Sequence, residues 1–592
     1  MKNVLSSLIL SAAIMLSMLL MSGCSNSFLN KPPIGNYDQN TLANRAGVEG
    51  LLIGAYSMLD GEGGPSENIV GSWGTSADNW VFGSVCADDA HKGSDPGDQP
   101  DIVPLETWNP TPTNSYLEAK WQALYDAIQR CNDVLRMMRL AQDMTPADTI
   151  QVSAEARFLR ALYHFEAKKI WNMVPWVDES ITYAAGNWRV PNDQDIWPNI
   201  EADLQYAMAN LPATQSEAGR ANKYAAEAFL AKAYLFEHKY AQAEPLLDDL
   251  INNGVTAGGK RYALIKFSDN FDPAKNHNTP EDVFDAQMSV NDGATANNAN
   301  AGDVLNFPYG GGPGGCCGFF QPSYSLVNSY KTDPVTGLPM PDTYNNSDLK
   351  NDQGLSSSDP FTPDTTTTLD PRLDWTVGRR GIPYLDWGPF PGAAWIRNQA
   401  SAGPYAPKKN VYYKSEQGTY TDNSSWTSGY TANNYHYIRF AQVLLWAAEV
   451  KVELGKLDQA QTYVNMVRAR AADTTDWVRS VDGTHFAANY FIKLYPSGYF
   501  TSKGQARART LVHFEEKLEL AMEGHRFFDL VRWGEADSTL NAYAAHEVAS
   551  GYTLMQGAHF TKGKNEYFPI PQQEIDRSTV NGQSVLKQNP GY

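Results

Sequence analysis

Apolar residues recur every three to four positions through Tyr116–Leu140, Thr149–Trp171, Ile196–Asn210, Lys223–His238 and Gln242–Asn252. The same spacing returns in Tyr435–Leu454, Asp458–Ala472 and Arg507–Trp533. Each stretch is predicted to be a helix with one buried face. Two regions resemble each other. Ala228–Ile251 and Leu444–Arg468 each read as a helix, a turn ending in Gln-Ala and a second helix, with small residues such as Ala231 and Ala448 where helices would approach closely. This is the logic of tetratricopeptide-type hairpins, each of which buries its face only by stacking on a neighbour. The repeats, about 115–253 and 435–533, are split by a long segment, roughly 291–434, rich in Gly, Pro, Asn, Ser, Thr and aromatics and without sustained period. A segment of that length is expected to be a folded loop layer that carries function. A second loop-rich region, 61–114, precedes the first long helix, and the two layers are expected to lie together on one side of the helical body.

The run MEGHRFFDLVRWG, Met522 to Gly534, breaks the simple amphipathic rule. Phe527, Leu530 and Val531 fall at helical spacing, and Phe528 and Trp533 widen the apolar stripe. Glu523, His525, Arg526, Asp529 and Arg532 are interleaved with them, so this helix must bury polar groups that are paired with something.

With its surroundings, EEKLELAMEGHRFFDLVRWG closely resembles the C-terminal signature of the SusD/RagB family, lipid-anchored nutrient-binding proteins of Bacteroidetes-type outer membranes. Further stretches agree: Ala154–Val177, Lys260–Gln287 with Tyr262, Phe271, Glu281 and Phe284, then YFPIPQQEID at Tyr567–Asp576 and the closing QNPGY at Gln588–Tyr592. The resemblance implies a mainly α fold, a SusD-like helical body of tetratricopeptide-type hairpins with a large loop-rich ligand-binding layer. It implies one domain over 24–592, and a lid on a SusC-like TonB-dependent transporter into which ligand is handed by a hinge motion. Peptide-binding members of the same family are the alternative to a glycan binder.

The first residues read as an export signal over 1–23. Lys2 supplies charge, Leu5–Met21 is a short apolar core at the lower limit for a spanning helix, and MSGC places small residues before Cys24. Cys24 is therefore expected to be lipidated, and its acyl chains, at about 0.8 kcal/mol per buried methylene, to hold the mature protein on a membrane. The segment after Cys24 lacks an acidic cluster, so exposure on the outer face rests on the resemblance.

A formal net charge of -19 opposes binding to nucleic acid, whose phosphates need a basic surface, and favours neutral ligands. Fifteen Trp and 31 Tyr are many for a chain only 42% hydrophobic; most are expected to fill the helical core, and those not needed there offer flat faces to sugar rings or peptides. No HExxH, CxxC pair or GxSxG occurs, and GVTAGGKR at Gly254–Arg261 has Arg261 where a phosphate loop requires Ser or Thr. No metal, cofactor or catalytic residue is expected. A helical glycosidase or lyase is the rival class, and it would need two carboxylates across a bound sugar.

The ligand candidates lie in the loop layers. Cys316 and Cys317 are adjacent within GGGPGGCCGFF, and a bridge between neighbours needs an unusual backbone that the glycines permit. Bridged, the pair offers a rigid apolar edge to a sugar face; unbridged, it is two thiols in a flexible loop. Trp80, Cys316, Cys317, Arg380 and Tyr405 are the favoured ligand-binding residues, since the resemblance brings their loops to the site. Trp73, Asp78 and Asn79 accompany Trp80, and Arg379, Tyr384, Trp387, Trp395 and Arg397 crowd the later loop. Cys131 is expected to be a buried hydrophobe that does not pair with Cys86. Asp88, Asp89, Asp95 and Asp98 form an acidic loop that reads as a solvated turn or, against the spacing of an EF-hand, a Ca²⁺ site.

Overall fold

The computed structural model describes residues 39–61, 67–294 and 296–592, so the signal segment and Cys24 lie outside the described residues. The fold is mainly α. Its body is built from α1 (Arg45–Tyr56), α2 (Ser115–Met138), α3 (Pro146–Trp171), α4 (Trp197–Asn210), α5 (Lys223–Phe236) and α6 (Tyr240–Asn253). After the long insertion come α7 (Phe440–Glu453), α8 (Leu457–Ala471), α9 (Gln505–Glu519), α10 (Arg526–Arg532) and α11 (Ala536–Ala549). No helix among the described residues is long and apolar enough to cross a membrane.

Each body helix packs on the next, α2 on α3, α3 on α4, α4 on α5 and α5 on α6. The series continues across the insertion, because α6 packs on α7, and α7 on both α8 and α9. Close approach is possible because α5 presents Ala225, Ala226, Ala228, Ala231 and Ala233, and α7 presents Ala441, Ala447 and Ala448, all buried. α3 begins earlier than the apolar period suggested. Thr145 and Asp148 form a reciprocal capping box around Pro146, whose fixed φ and missing N–H suit the first helical position.

Short strands tie the loops to this body. β1 (Ala90–Gly93) pairs antiparallel with β3 (Phe319–Pro322), joining the early loop region to the insertion. β2 (Asp282–Ala286) pairs antiparallel with β6 (Tyr435–Arg439), with Asp282 opposite Arg439 and Asp285 opposite His436. Within the insertion, β4 (Val377–Gly378) pairs with β5 (Ala406–Pro407).

Two helix predictions are corrected. Tyr435–Arg439 is strand β6, not the first turns of a helix, and every residue of β2 and β6 is buried, so neither shows the alternation that marks a half-exposed strand. The predicted helix Arg507–Trp533 is broken between α9 and α10, where Met522 (φ 60°) and Gly524 (φ 74°) are left-handed. Gly524 is needed there, because a Cβ on it would collide with the Asp78 carbonyl, and one on Gly83 would collide with the Gly524 carbonyl.

The charges of the 522–534 signature are paired, mostly with distant groups. Glu523 accepts from Arg439 at 2.8 Å and from Lys409 at 2.7 Å. Arg526 reaches Asp88 at 2.8 Å, and Arg532 bridges Glu449 at 2.6 Å and Asp529 at 2.8 Å. Behind them lies a buried ionic centre in which Glu519 takes Arg439, Arg372 and Arg470, while Arg468 and Arg372 share Glu515. Burial pushes the Glu519 carboxyl up, but the three guanidinium groups outweigh it and hold it well below the usual carboxylate range.

Candidate functional site

The β1–β3 pairing sets the 93–98 turn beside the glycine-rich run of the insertion, and Ser94 N–H donates to the Gly318 carbonyl. That run is pinned along its length. Gly318 N–H donates to Phe307 O at 2.8 Å, Gly314 N–H to the Tyr412 hydroxyl at 2.7 Å, and Thr427 Oγ1 to Gly314 O at 2.6 Å. Tyr309 N–H donates to Trp395 O at 2.9 Å, which fixes the 394–398 loop alongside.

Cys316 and Cys317 are disulfide-bonded to each other within this pinned run, and the peptide between them is cis. Cys317 is buried and Cys316 half-buried at the surface. Next to them Tyr309 is 38% exposed, with the Arg397 guanidinium 5.3 Å from its ring centroid. Arg397 is itself held by Asp98 and by Ser94 Oγ at 3.0 Å. Trp395 stands half-buried, edge-on to Tyr384 and Phe390 at 5.6 Å, with Gly312 against its ring.

This face joins an exposed aromatic ring, a guanidinium, a carboxylate and a disulfide edge on backbone that is fixed before any ligand arrives. A ring stacked on Tyr309 would contribute on the order of 1 kcal/mol, while Arg397 and Asp98 supply donors and acceptors for hydroxyl groups. A few such contacts correspond to an affinity of about millimolar to micromolar.

The other candidates fall elsewhere. Trp80 is 1% exposed; its indole N–H donates to Trp73 O at 3.1 Å, and its ring lies against Phe319 and Phe320 at 6.1 and 5.7 Å. It supports the face from beneath and offers no ring to a ligand. Tyr405 is likewise buried, packed on Tyr324 at 5.8 Å. Arg380 binds the carbonyls of Ser356, Ser357 and Asp359 and lies over Phe361 at 5.4 Å, so it fastens a neighbouring loop. Sequence reasoning missed Tyr309. The available signal was an aromatic residue immediately before the glycine run that leads to the paired cysteines.

The acidic loop is neither a solvated turn throughout nor a gathered cation site. Asp88 and Asp89 are fully buried. Lys517 at 2.7 Å and Arg526 hold the Asp88 carboxyl well below its usual range against the cost of burial. Burial, with Asp88 beside it, raises Asp89 to about 6. Asp98 is committed to Arg397, and the Lys92 ammonium donates to the carbonyls of Asp95 at 2.8 Å and Asp98 at 2.6 Å, placing a cation inside the loop. Cys86 and Cys131 are both buried and unbridged.

Among the described residues, the group with metal-ligand spacing is Asp282, Asp285 and His436, at the root of the insertion. His436 Nδ1 meets Asp285 at 2.9 Å and Nε2 meets Asn270 O at 2.9 Å. Burial lowers its pKa, but Asp285 and Asp282 more than compensate and raise it to about 10. An imidazolium ion pair accounts for this arrangement without a metal.

The comparisons with known proteins agree with this architecture. The SusD family model matches residues 280–592, and a second model, described as starch-binding and associating with the outer membrane, matches 85–235. SusD-like protein P2 of Formosa agariphila is 23% identical over 493 residues, 81% of each chain. A SusD-like protein of Bacteroides ovatus is 28% identical over 220 residues, 37% of each. Among solved structures, a SusD superfamily protein from Bacteroides vulgatus superposes with a TM-score of 0.65 at 20% identity, covering 93% of this chain and 100% of the other. A laminarin-binding SusD-like protein gives 0.60 at 21%, with 93% and 100% covered. Surface glycan-binding protein A of Bacteroides thetaiotaomicron in complex with laminarihexaose gives 0.59 at 19%, with 92% and 99% covered. At these identities the superpositions establish the fold. Since a single family model spans more than half the chain, including the ionic centre and the whole insertion, the protein belongs to the SusD family.

Proposed function

We propose that this protein is a non-catalytic lipoprotein of the outer-membrane surface, anchored through Cys24, that captures a neutral oligosaccharide and passes it to a SusC-like TonB-dependent transporter. The observation that carries the reading is the pinned face of Tyr309, Trp395, Arg397 and Asp98 beside the Cys316–Cys317 disulfide. It presents a ring for a sugar and polar groups for its hydroxyls, and Arg397 is neutralised by Asp98, which suits an uncharged ligand. Relatives named for laminarin and glycan binding support the ligand class, a family model described as associating with the outer membrane supports the membrane setting, and the transporter partner rests on the resemblance read in the sequence.

The test is isothermal calorimetry of the purified protein against laminarin, starch, other neutral polysaccharides and mixed peptides, with reducing ends assayed in the same samples. Saturable heat from one glycan without new reducing ends supports the proposal. A response to peptides alone would move the protein to peptide capture, and released reducing ends would make it a glycosidase.

A further inference from the structure

A hairpin of the insertion lies against the glycine-rich run that carries the disulfide. Thr421 and Thr431 pair antiparallel at its base, and Asp422 N–H donates to Tyr430 O at 2.9 Å. Its tip is shaped by the Asp422 carboxylate, which accepts from the N–H groups of Ser424 and Ser425, each at 2.8 Å. The tip carries Trp426, at 61% exposure the most exposed tryptophan among the described residues, with its ring edge-on to Tyr430 at 6.3 Å.

A single exposed ring is common on protein surfaces and by itself indicates nothing. Trp426 differs in how it is held. The next residue, Thr427, donates to Gly314 O, and Ser428 shares a hydrogen bond of 2.6 Å with the same Tyr412 hydroxyl that receives Gly314 N–H. Both backbone polar groups of Gly314 thus fasten the run to the hairpin tip, and this path keeps the Cα atoms of Tyr309 and Trp426 within about 25 Å of each other. In the run itself Gly310, Gly311 and Gly315 are exposed, a floor without side chains over which a ligand can approach the backbone closely. From Asn423 to Tyr430 no residue is charged, which suits a neutral ligand. The Ser424 and Ser425 hydroxyls donate to Asp422 at 2.8 Å and keep lone pairs to accept from hydroxyl groups of a ligand.

We propose that Trp426 is an outlying subsite of the glycan face, stacking on one ring of a neutral oligosaccharide whose other end lies on Tyr309. The inference rests on the glycan reading of that face and adds to it a selectivity for chain length. A short ligand is held at Tyr309 alone. One of several rings reaches both platforms, and the second contact costs little further ordering of the protein because the hairpin is already fixed.

Calorimetry with a length series of the neutral glycan that binds, from the disaccharide upward, tests this on the unmodified protein and on Trp426→Ala. The unmodified protein should bind the longest members roughly three- to tenfold more tightly than the disaccharide. In Trp426→Ala the long and short members should bind alike, whereas Tyr309→Ala should weaken every length. An affinity independent of length in the unmodified protein, or the same length dependence in Trp426→Ala, overturns the subsite and leaves capture at Tyr309 standing. Silence of the unmodified protein toward every glycan overturns both. Should Trp426→Ala not fold, oxidation of Trp426 by N-bromosuccinimide in the unmodified protein, read by peptide mass spectrometry, decides. The long glycan should protect Trp426 and the disaccharide should not; equal oxidation with and without the long glycan overturns the subsite.

Discussion

Arg439, the last residue of the strand that closes the insertion, and Glu519, the last residue of α9, meet at 2.6 Å with side chains 1% and 0% exposed. The contact joins the root of the loop layer to the helical body. It sits in a network that includes Glu281 and Glu523, so removing one member leaves several charges unbalanced in a medium that cannot solvate them.

Arg439→Met should therefore destabilise the protein by about 3–5 kcal/mol, the range for breaking a buried ion pair from one side. Chemical denaturation monitored by Trp fluorescence measures it. A loss below about 1 kcal/mol would mean that the centre is hydrated and that its partners are solvated without the arginine.

Tyr309 and Trp80 should separate binding from stability. Tyr309→Ala should weaken glycan binding roughly three- to tenfold, from the loss of one stacked face, with little change in Tm. Trp80→Ala should cost about 3–5 kcal/mol of stability because it empties a core position under the face. Calorimetry and thermal unfolding of both variants make the comparison, and unchanged affinity in Tyr309→Ala would remove that residue from the site.

The disulfide gives an independent handle on the same face. The double variant Cys316→Ser, Cys317→Ser should lower glycan affinity by loosening the edge beside Tyr309, while far-UV circular dichroism stays as before. Equal affinity in the two proteins would assign the bridge a role apart from the ligand.

Stability should fall at both ends of the pH range, for different reasons. Burial raises the Glu523 pKa, but Arg439 and Lys409 reverse this and depress it from 4.5 to about 2. Its contribution, on the order of 3 kcal/mol, is present above about pH 4.5 and is lost as pH falls toward 2. His436 is raised from 6.5 to about 10, so its contribution is complete below about 6.5 and is lost as pH rises through 10. Denaturation midpoints across pH 2–11 test both limbs, and His436→Gln should flatten the alkaline limb alone.

Helix period and repeat logic made most of the body legible, because α2 to α8 each turn a wide apolar face to a neighbour and their order in sequence is their order in space. The strand Tyr435–Arg439 was not legible, since burial on both faces erases alternation and the segment runs straight into α7. The break before α10 was hidden because Met522 adopts a left-handed conformation that its side chain does not announce. Asp88 read as part of a surface loop because its partner Lys517 is 429 positions away, beyond any local pattern. At the candidate site, sequence supplied the aromatic and glycine-rich segments and the paired cysteines. It could not tell which rings point outward, and so chose the buried Trp80 and passed over Tyr309.

The β2–β6 ladder brings the start and end of the insertion together on adjacent strands, and α6 meets α7 directly beyond it. The insertion still reaches back into the body, because Arg372 and Lys409, both within it, pair with Glu515, Glu519 and Glu523. Exchanging the segment 287–434 for one of another length or sequence keeps the ionic centre only where the replacement again supplies the cations of Arg372 and Lys409 to these partners. The fold behaves as a socket with a keyed cassette, a design in which the exposed loops are free to vary while the segments that carry Arg372 and Lys409 are held to one chemistry.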